Sequence, residues 1–131
     1  MNIILLHTHD LGRVIEPYGA GVRTPNLMAL ARESTLFRHC YCTAPTCSPS
    51  RAGMLTGMLP HSAGLLGLAH RGFHLKDYSK HLVRYLGDQG FETALCGIQH
   101  EAPSDKVQEW LGYEKILGPE TAGGDIEGDL E

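Results

Sequence analysis

Long apolar stretches are missing from this chain of 131 residues, as are paired Cys-x-x-Cys spacings, internal repeats and any basic stripe interleaved with aromatics. Each absence excludes a class of protein. The opening apolar run, Ile3 to Leu6, is far shorter than the roughly 20 residues a spanning helix needs, and no basic region precedes it. Neither a membrane span nor a secretory leader is therefore expected, and the cytoplasm is the default location. Without a basic stripe, nucleic acid is not an expected partner. Four cysteines, at positions 40, 42, 47 and 96, do not describe a disulfide scaffold in a chain of this size, and Cys40 and Cys42 are too close for an easy bridge. They read as reduced thiols. A zinc site built from them and nearby histidines lacks the paired spacing that would support it. Cys40, Cys42 and Cys96 fall in strand-like segments, where burial as small hydrophobes is expected.

The hydrophobic content of 42% and a net charge of −4 allow one globular core. The charge is unevenly placed. Gly118 to Glu131 holds five acidic residues, four glycines and no basic residue, so the rest of the chain carries +1. Residues 1–117 read as the domain region and 118–131 as an acidic, glycine-rich loop or tail.

Periodicity predicts strands alternating with helices. Ile3 to Leu6 has the continuous apolar pattern of a strand buried on both faces, ending in His7, Thr8, His9 and Asp10. Thr24, Pro25 and Asn26 read as a helix start with Leu27, Leu30 and Ala31 on one face. Leu36 to Cys42 suits a second strand, and His61 to His74, rich in glycine and histidine, suits a loop. Tyr78, Leu82, Tyr85 and Leu86 predict a helix closing near Gly87 or Gly90, and Phe91 to Cys96 a further strand. This order argues an α/β layer in which reactive groups gather at strand ends and helix starts.

The richest local pattern is CSPSR at Cys47 to Arg51. Pro49 suits the first turn of a helix and Ser48 or Ser50 can cap it, which sets Cys47 at or just before the helix N-terminus. Free backbone N–H groups and the helix dipole favour an anion there. Arg51, about one turn further on, can bring a planar fork of donors to the same place. A single cysteine ahead of a helix is most often a small buried hydrophobe. The longer run PTCSPSRAGMLTG, Pro45 to Gly57, makes chemistry on an oxyanion the better reading.

That run resembles the first signature of the sulfatase family throughout. The resemblance implies that Cys47 is converted to formylglycine by a formylglycine-generating enzyme, and that the hydrated aldehyde is the nucleophile. It also implies the amino-terminal part of an alkaline phosphatase-like sheet flanked by helices, incomplete in this chain, because known sulfatases are several times longer. Further metal ligands and sulfate-binding residues would come from later sequence. The missing surface would be supplied by a longer product or by another chain, as in an oligomer.

The second sulfatase signature, from a Gly-Tyr pair through Gly-Lys to His, is matched in part by GFETALCGIQH, Gly90 to His100. His100 falls on the histidine and is the implied partner of the formylglycine hydrate, able to carry a proton near neutral pH. Ile98 stands where lysine is expected, and Gln99 offers a neutral donor to substrate in its place. Near the first strand, HTHDLGR puts His9 where the family has its first aspartate and Asp10 where it has its second.

Asp10 and the modified Cys47 are therefore the implied metal ligands, with His9 either ligating or supporting them. An all-oxygen shell points to Ca2+, whereas His9 opens Mg2+, Mn2+ or Zn2+. The run GLAHRGF, Gly67 to Phe73, resembles the branch related to heparan N-sulfatase, and in it His70 and Arg71 would face substrate. The implied substrate is a small sulfate ester or sulfamate, for instance a sugar or aryl sulfate. Phosphonate and phosphate diester hydrolases of the same superfamily, or an incomplete fragment acting as an interaction module, are the alternatives.

Overall fold

A computed structural model describes residues 1–117. The predicted tail at 118–131 lies outside the described residues. The chain divides into two compact units, the first Met1–Tyr41 and the second from Cys42 onward. Among the described residues no helix is long and apolar enough to cross a membrane.

In the first unit, a short 3-10 turn at Glu16–Tyr18 leads to helix α1, Pro25–Glu33. Pro25 opens the helix, where its missing N–H is not needed. Thr24 stands at the cap position, but its hydroxyl is used elsewhere. It accepts the Glu16 N–H at 3.0 Å while the Glu16 carboxylate accepts the Thr24 N–H at 3.0 Å. This reciprocal pair fixes where the helix begins. The predicted apolar face is only half covered, because Leu27 and Ala31 are half-buried and Leu30 is exposed.

Two expected strands do not form. Ile3 to Leu6 and Leu36 to Cys42 carry no ladder, and Ile4 and Leu6 are 89% and 84% exposed. A strand is a property of a pair, and among the described residues nothing hydrogen-bonds to these runs as a neighbouring strand. The burial expected of Cys40, Cys42 and Cys96 also fails: all three are exposed, Cys96 even though it lies in a paired strand.

The second unit holds α2 (Cys47–Thr56), α3 (Pro60–Ala63) and α4 (Leu82–Asp88), then strands β1 (Ala94–Cys96) and β2 (Lys115–Leu117). β1 and β2 are parallel, with Leu95 opposite Ile116. The connection between them includes a 3-10 turn at Ser104–Lys106 and a π-helical turn at Val107–Leu111. The α/β expectation is thus met in part, by one parallel pair in a helix-rich piece. The region read as a loop, His61 to His74, contains most of α3 and a 3-10 turn at Ala69–Arg71. The third helix starts later than its apolar spacing suggests. Tyr78–Lys80 forms a separate 3-10 turn, and His81 caps α4 by accepting the Val83 N–H on Nδ1 at 3.4 Å.

Two apolar clusters make the core. Ala52, Ala63, Leu65 and Leu75 form one, and Ala102, Val107 and Leu111 the other; Tyr78 packs against both. Small residues let α2 sit close to its surroundings. Gly53 lies against the Thr43 side chain with no room for a Cβ. At the far end of the connection, Arg84 lies over Gly112 and donates to the carbonyls of Glu109 and Trp110, pinning the π-helical turn.

Candidate active site

Cys47 is the first residue of α2, at the helix start that the sequence predicts. The cap is Thr46 in extended conformation, whose carbonyl accepts the Ser50 N–H at 3.0 Å. No side chain caps this helix, so the expectation for Ser48 or Ser50 is corrected. Ser48 instead points into the protein. Its buried hydroxyl accepts the Ala69 N–H at 3.1 Å and ties the Ala69–Arg71 turn to the head of α2.

That tether brings His70 toward the loop that follows β1. Ser48, His70, Gln99, His100, Ser104 and Asp105 are among the residues lining a cavity of about 230 Å³. One ring nitrogen of His100 lies within 4.8 Å of the Cys47 sulfur. Arg71 is exposed in the same turn as His70 and does not line this cavity. Cys47 itself is half-buried.

Arg51 is buried, and its Nη1 donates to the Ile98 carbonyl at 3.0 Å. The positive charge predicted for the first turns of α2 is therefore anchored to the loop after β1. The same loop is closed from inside by Gln99. Its Oε1 accepts the N–H groups of Glu101 and Ala102 at 2.9 Å each, and its Nε2 donates to the Ala102 carbonyl at 2.8 Å. Gln99 borders the cavity but is 5% exposed and committed to the main chain.

Sequence reasoning missed Glu101. Its carboxyl is 2% exposed, with Oε2 accepting the His100 N–H at 3.0 Å. Burial pushes its pKa up, while the Arg51 guanidinium and the His100 N–H oppose that rise. Burial also pushes the Tyr113 hydroxyl up to about 12, helped by the Glu101 charge and opposed by Arg51. Nothing in periodicity marks a charged residue as buried. The one available sign was its place next to His100, since strand-end loops in α/β proteins collect reactive groups.

His9 and Asp10 belong to the first unit. Asp10 has a left-handed backbone, φ 52°, and its Oδ2 lies 3.1 Å from the His9 Nδ1, with both side chains accessible. Calcium takes about six to eight oxygen ligands. One carboxylate already facing an imidazole does not fill such a shell, so this pair as it stands does not fit a calcium site.

A cysteine at a helix head thus stands beside a histidine from the loop that follows a parallel strand. The sulfatase family model matches residues 2–128, and the chain belongs to the sulfatase family. It is similar to human N-sulphoglucosamine sulphohydrolase, 37% identical over 105 residues that cover 78% of this chain and 21% of that protein. Choline-sulfatase of Rhizobium meliloti is 31% identical over 119 residues, 88% of this chain and 22% of the relative. Human steryl-sulfatase is 34% identical over 110 residues, 76% and 19% respectively. The chain thus spans about a fifth of the length of these relatives. The likeness to N-sulphoglucosamine sulphohydrolase agrees with the branch suggested by GLAHRGF. Membership implies the alkaline phosphatase-like α/β plan, of which the β1–β2 pair and its helices are a portion. Sulfatases generally use a divalent metal and a formylglycine.

Proposed function

We propose that this chain carries the nucleophile of a hydrolase acting on sulfate esters or sulfamates, with Cys47 as the residue converted to formylglycine. One observation carries the reading: Cys47 heads α2 inside the complete run PTCSPSRAGMLTG with a His100 ring nitrogen within 4.8 Å of its sulfur. The names of the relatives, which specify N-sulphoglucosamine, choline and steryl groups, support a sulfated small molecule as substrate. The matched span is about a fifth of each relative, so the proposal concerns the nucleophile and not turnover by these residues alone.

The residues supply specific chemistry. Once Cys47 is an aldehyde, its hydrate offers two hydroxyls on one carbon. One attacks sulfur and the alcohol or amine leaves. The other then gives up its proton, the carbon–oxygen bond to sulfate breaks, and the aldehyde is restored. A serine at position 47 could be sulfated but would lack this exit. His100 is the nearby imidazole that can take or return the proton, because imidazole titrates near neutral pH. Arg51 provides a fixed positive charge one turn along the same helix. His70, held by the Ser48 tether, reaches the cavity where the departing group would sit.

The test is to express the chain with a formylglycine-generating enzyme and read the Cys47 peptide by mass spectrometry. An aldehyde at position 47, with Cys40, Cys42 and Cys96 still thiols, is expected. A thiol persisting at Cys47 under conditions that convert a control sulfatase peptide refutes the nucleophile.

A further inference from the structure

We infer that Glu101 is the positioning residue that holds His100 beside the Cys47 sulfur. The inference rests on the reading of Cys47 and His100 as the reacting pair. The loop between β1 and the Ser104–Lys106 turn is secured from several sides. Gly97 turns the chain at φ 94°, a conformation that favours glycine. The Ile98 carbonyl takes the bond from Arg51, Gln99 closes the loop on itself, and the Tyr78 hydroxyl donates to the Glu101 carbonyl at 3.1 Å. The Glu101 carboxyl acts on His100 directly, accepting its N–H at 3.0 Å.

This carboxyl is an expensive way to fill space. It is 2% exposed, and among the described residues its second oxygen, Oε1, has no hydrogen-bond partner. A leucine or methionine would fill a similar volume without burying a polar group. Packing alone therefore does not account for glutamate here. Two interactions do account for it: the hydrogen bond to the His100 amide, and the nearby Arg51 charge, which eases the burial of the acid. Both lead to the groups around Cys47. Glu101 accepts from the main-chain N–H of His100, so it acts through His100's placement.

The test uses the 131-residue chain with Cys47 unmodified, followed by NMR. Wild type should show a nuclear Overhauser contact between the His100 ring and the Cys47 β protons, together with a protected His100 amide. In Glu101→Ala the contact should vanish and His100 amide exchange should rise about tenfold, the effect of losing one hydrogen bond, while other amide signals stay in place. Glu101→Gln keeps an acceptor oxygen and should restore both. A folded Glu101→Ala chain that retains the contact and the protection overturns the inference. If Glu101→Ala fails to fold, Glu101→Asp takes its place, since its shorter side chain withdraws the acceptor. An undiminished contact and an unchanged amide in that variant likewise overturn it. None of these readouts requires formylglycine, so failure of Cys47 conversion and failure of the Glu101 role are told apart.

Discussion

Acidification should destabilise the second unit through His81. The imidazole is fully buried at the head of α4; its Nδ1 accepts the Val83 N–H, and its Nε2 has no partner among the described residues. An acceptor Nδ1 places the ring proton on Nε2 in the neutral form. A second proton would abolish the cap and add a buried charge. Desolvation, assisted by the Arg84 charge, lowers the pKa from 6.5 to about 4. The folded state thus resists a proton that the unfolded chain accepts. Stability from neutral His81 is complete above about pH 6.5, declines as the pH falls, and is lost by about pH 4. Over that window the loss amounts to about 3 kcal/mol, at roughly 1.4 kcal/mol per pH unit. That is a large part of a small domain's stability. Urea unfolding at intervals from pH 7 to 4 measures it, with His81→Asn as reference, because asparagine can cap a helix but does not titrate there. Carboxylates that titrate near pH 4 contribute to both proteins and cancel in the difference. Equal pH slopes for wild type and His81→Asn would refute the reasoning.

Ser48→Ala removes the acceptor for a buried N–H at Ala69, and should cost about 1–3 kcal/mol in urea unfolding while loosening the turn that carries His70. A loss below about 0.5 kcal/mol would mean that the tether contributes little. Gly53→Ala drives a methyl group into Thr43 and should destabilise by about 1–3 kcal/mol; adding Thr43→Ala should recover much of that. Strict additivity of the two changes would count against this contact.

The helix starts were more legible in the sequence than the sheet. CSPSR announced α2 because proline suits the first turn of a helix, although the expected serine cap does not form, and Cys47 is its first residue. Thr24 and Pro25 announced α1 on the same grounds. The strand read over Phe91 to Cys96 survives as Ala94–Cys96, since β2 lies alongside it. Ile3 to Leu6 has the stronger strand pattern but no ladder, because pairing depends on a neighbour that a local pattern does not specify. The same limit hid the Ser48 bond to Ala69, which spans 21 positions, and the burial of Glu101. The π-helical turn at Val107–Leu111 follows from Arg84, which grips its carbonyls from α4. No pattern within residues 107–111 encodes that grip.

Tyr78 lies in a three-residue turn, yet its ring packs against both apolar clusters and stands 5.1 Å from the Trp110 ring, while its hydroxyl reaches the Glu101 carbonyl. The cluster around α2 and the cluster beside β1 and β2 therefore share one wall. Neither can lose its order without exposing a face of the other, so the second unit should melt as one cooperative body. For the chemistry this means that the helix bearing Cys47 and the loop bearing His100 become ordered in a single event: a nascent chain presents both groups in register or neither.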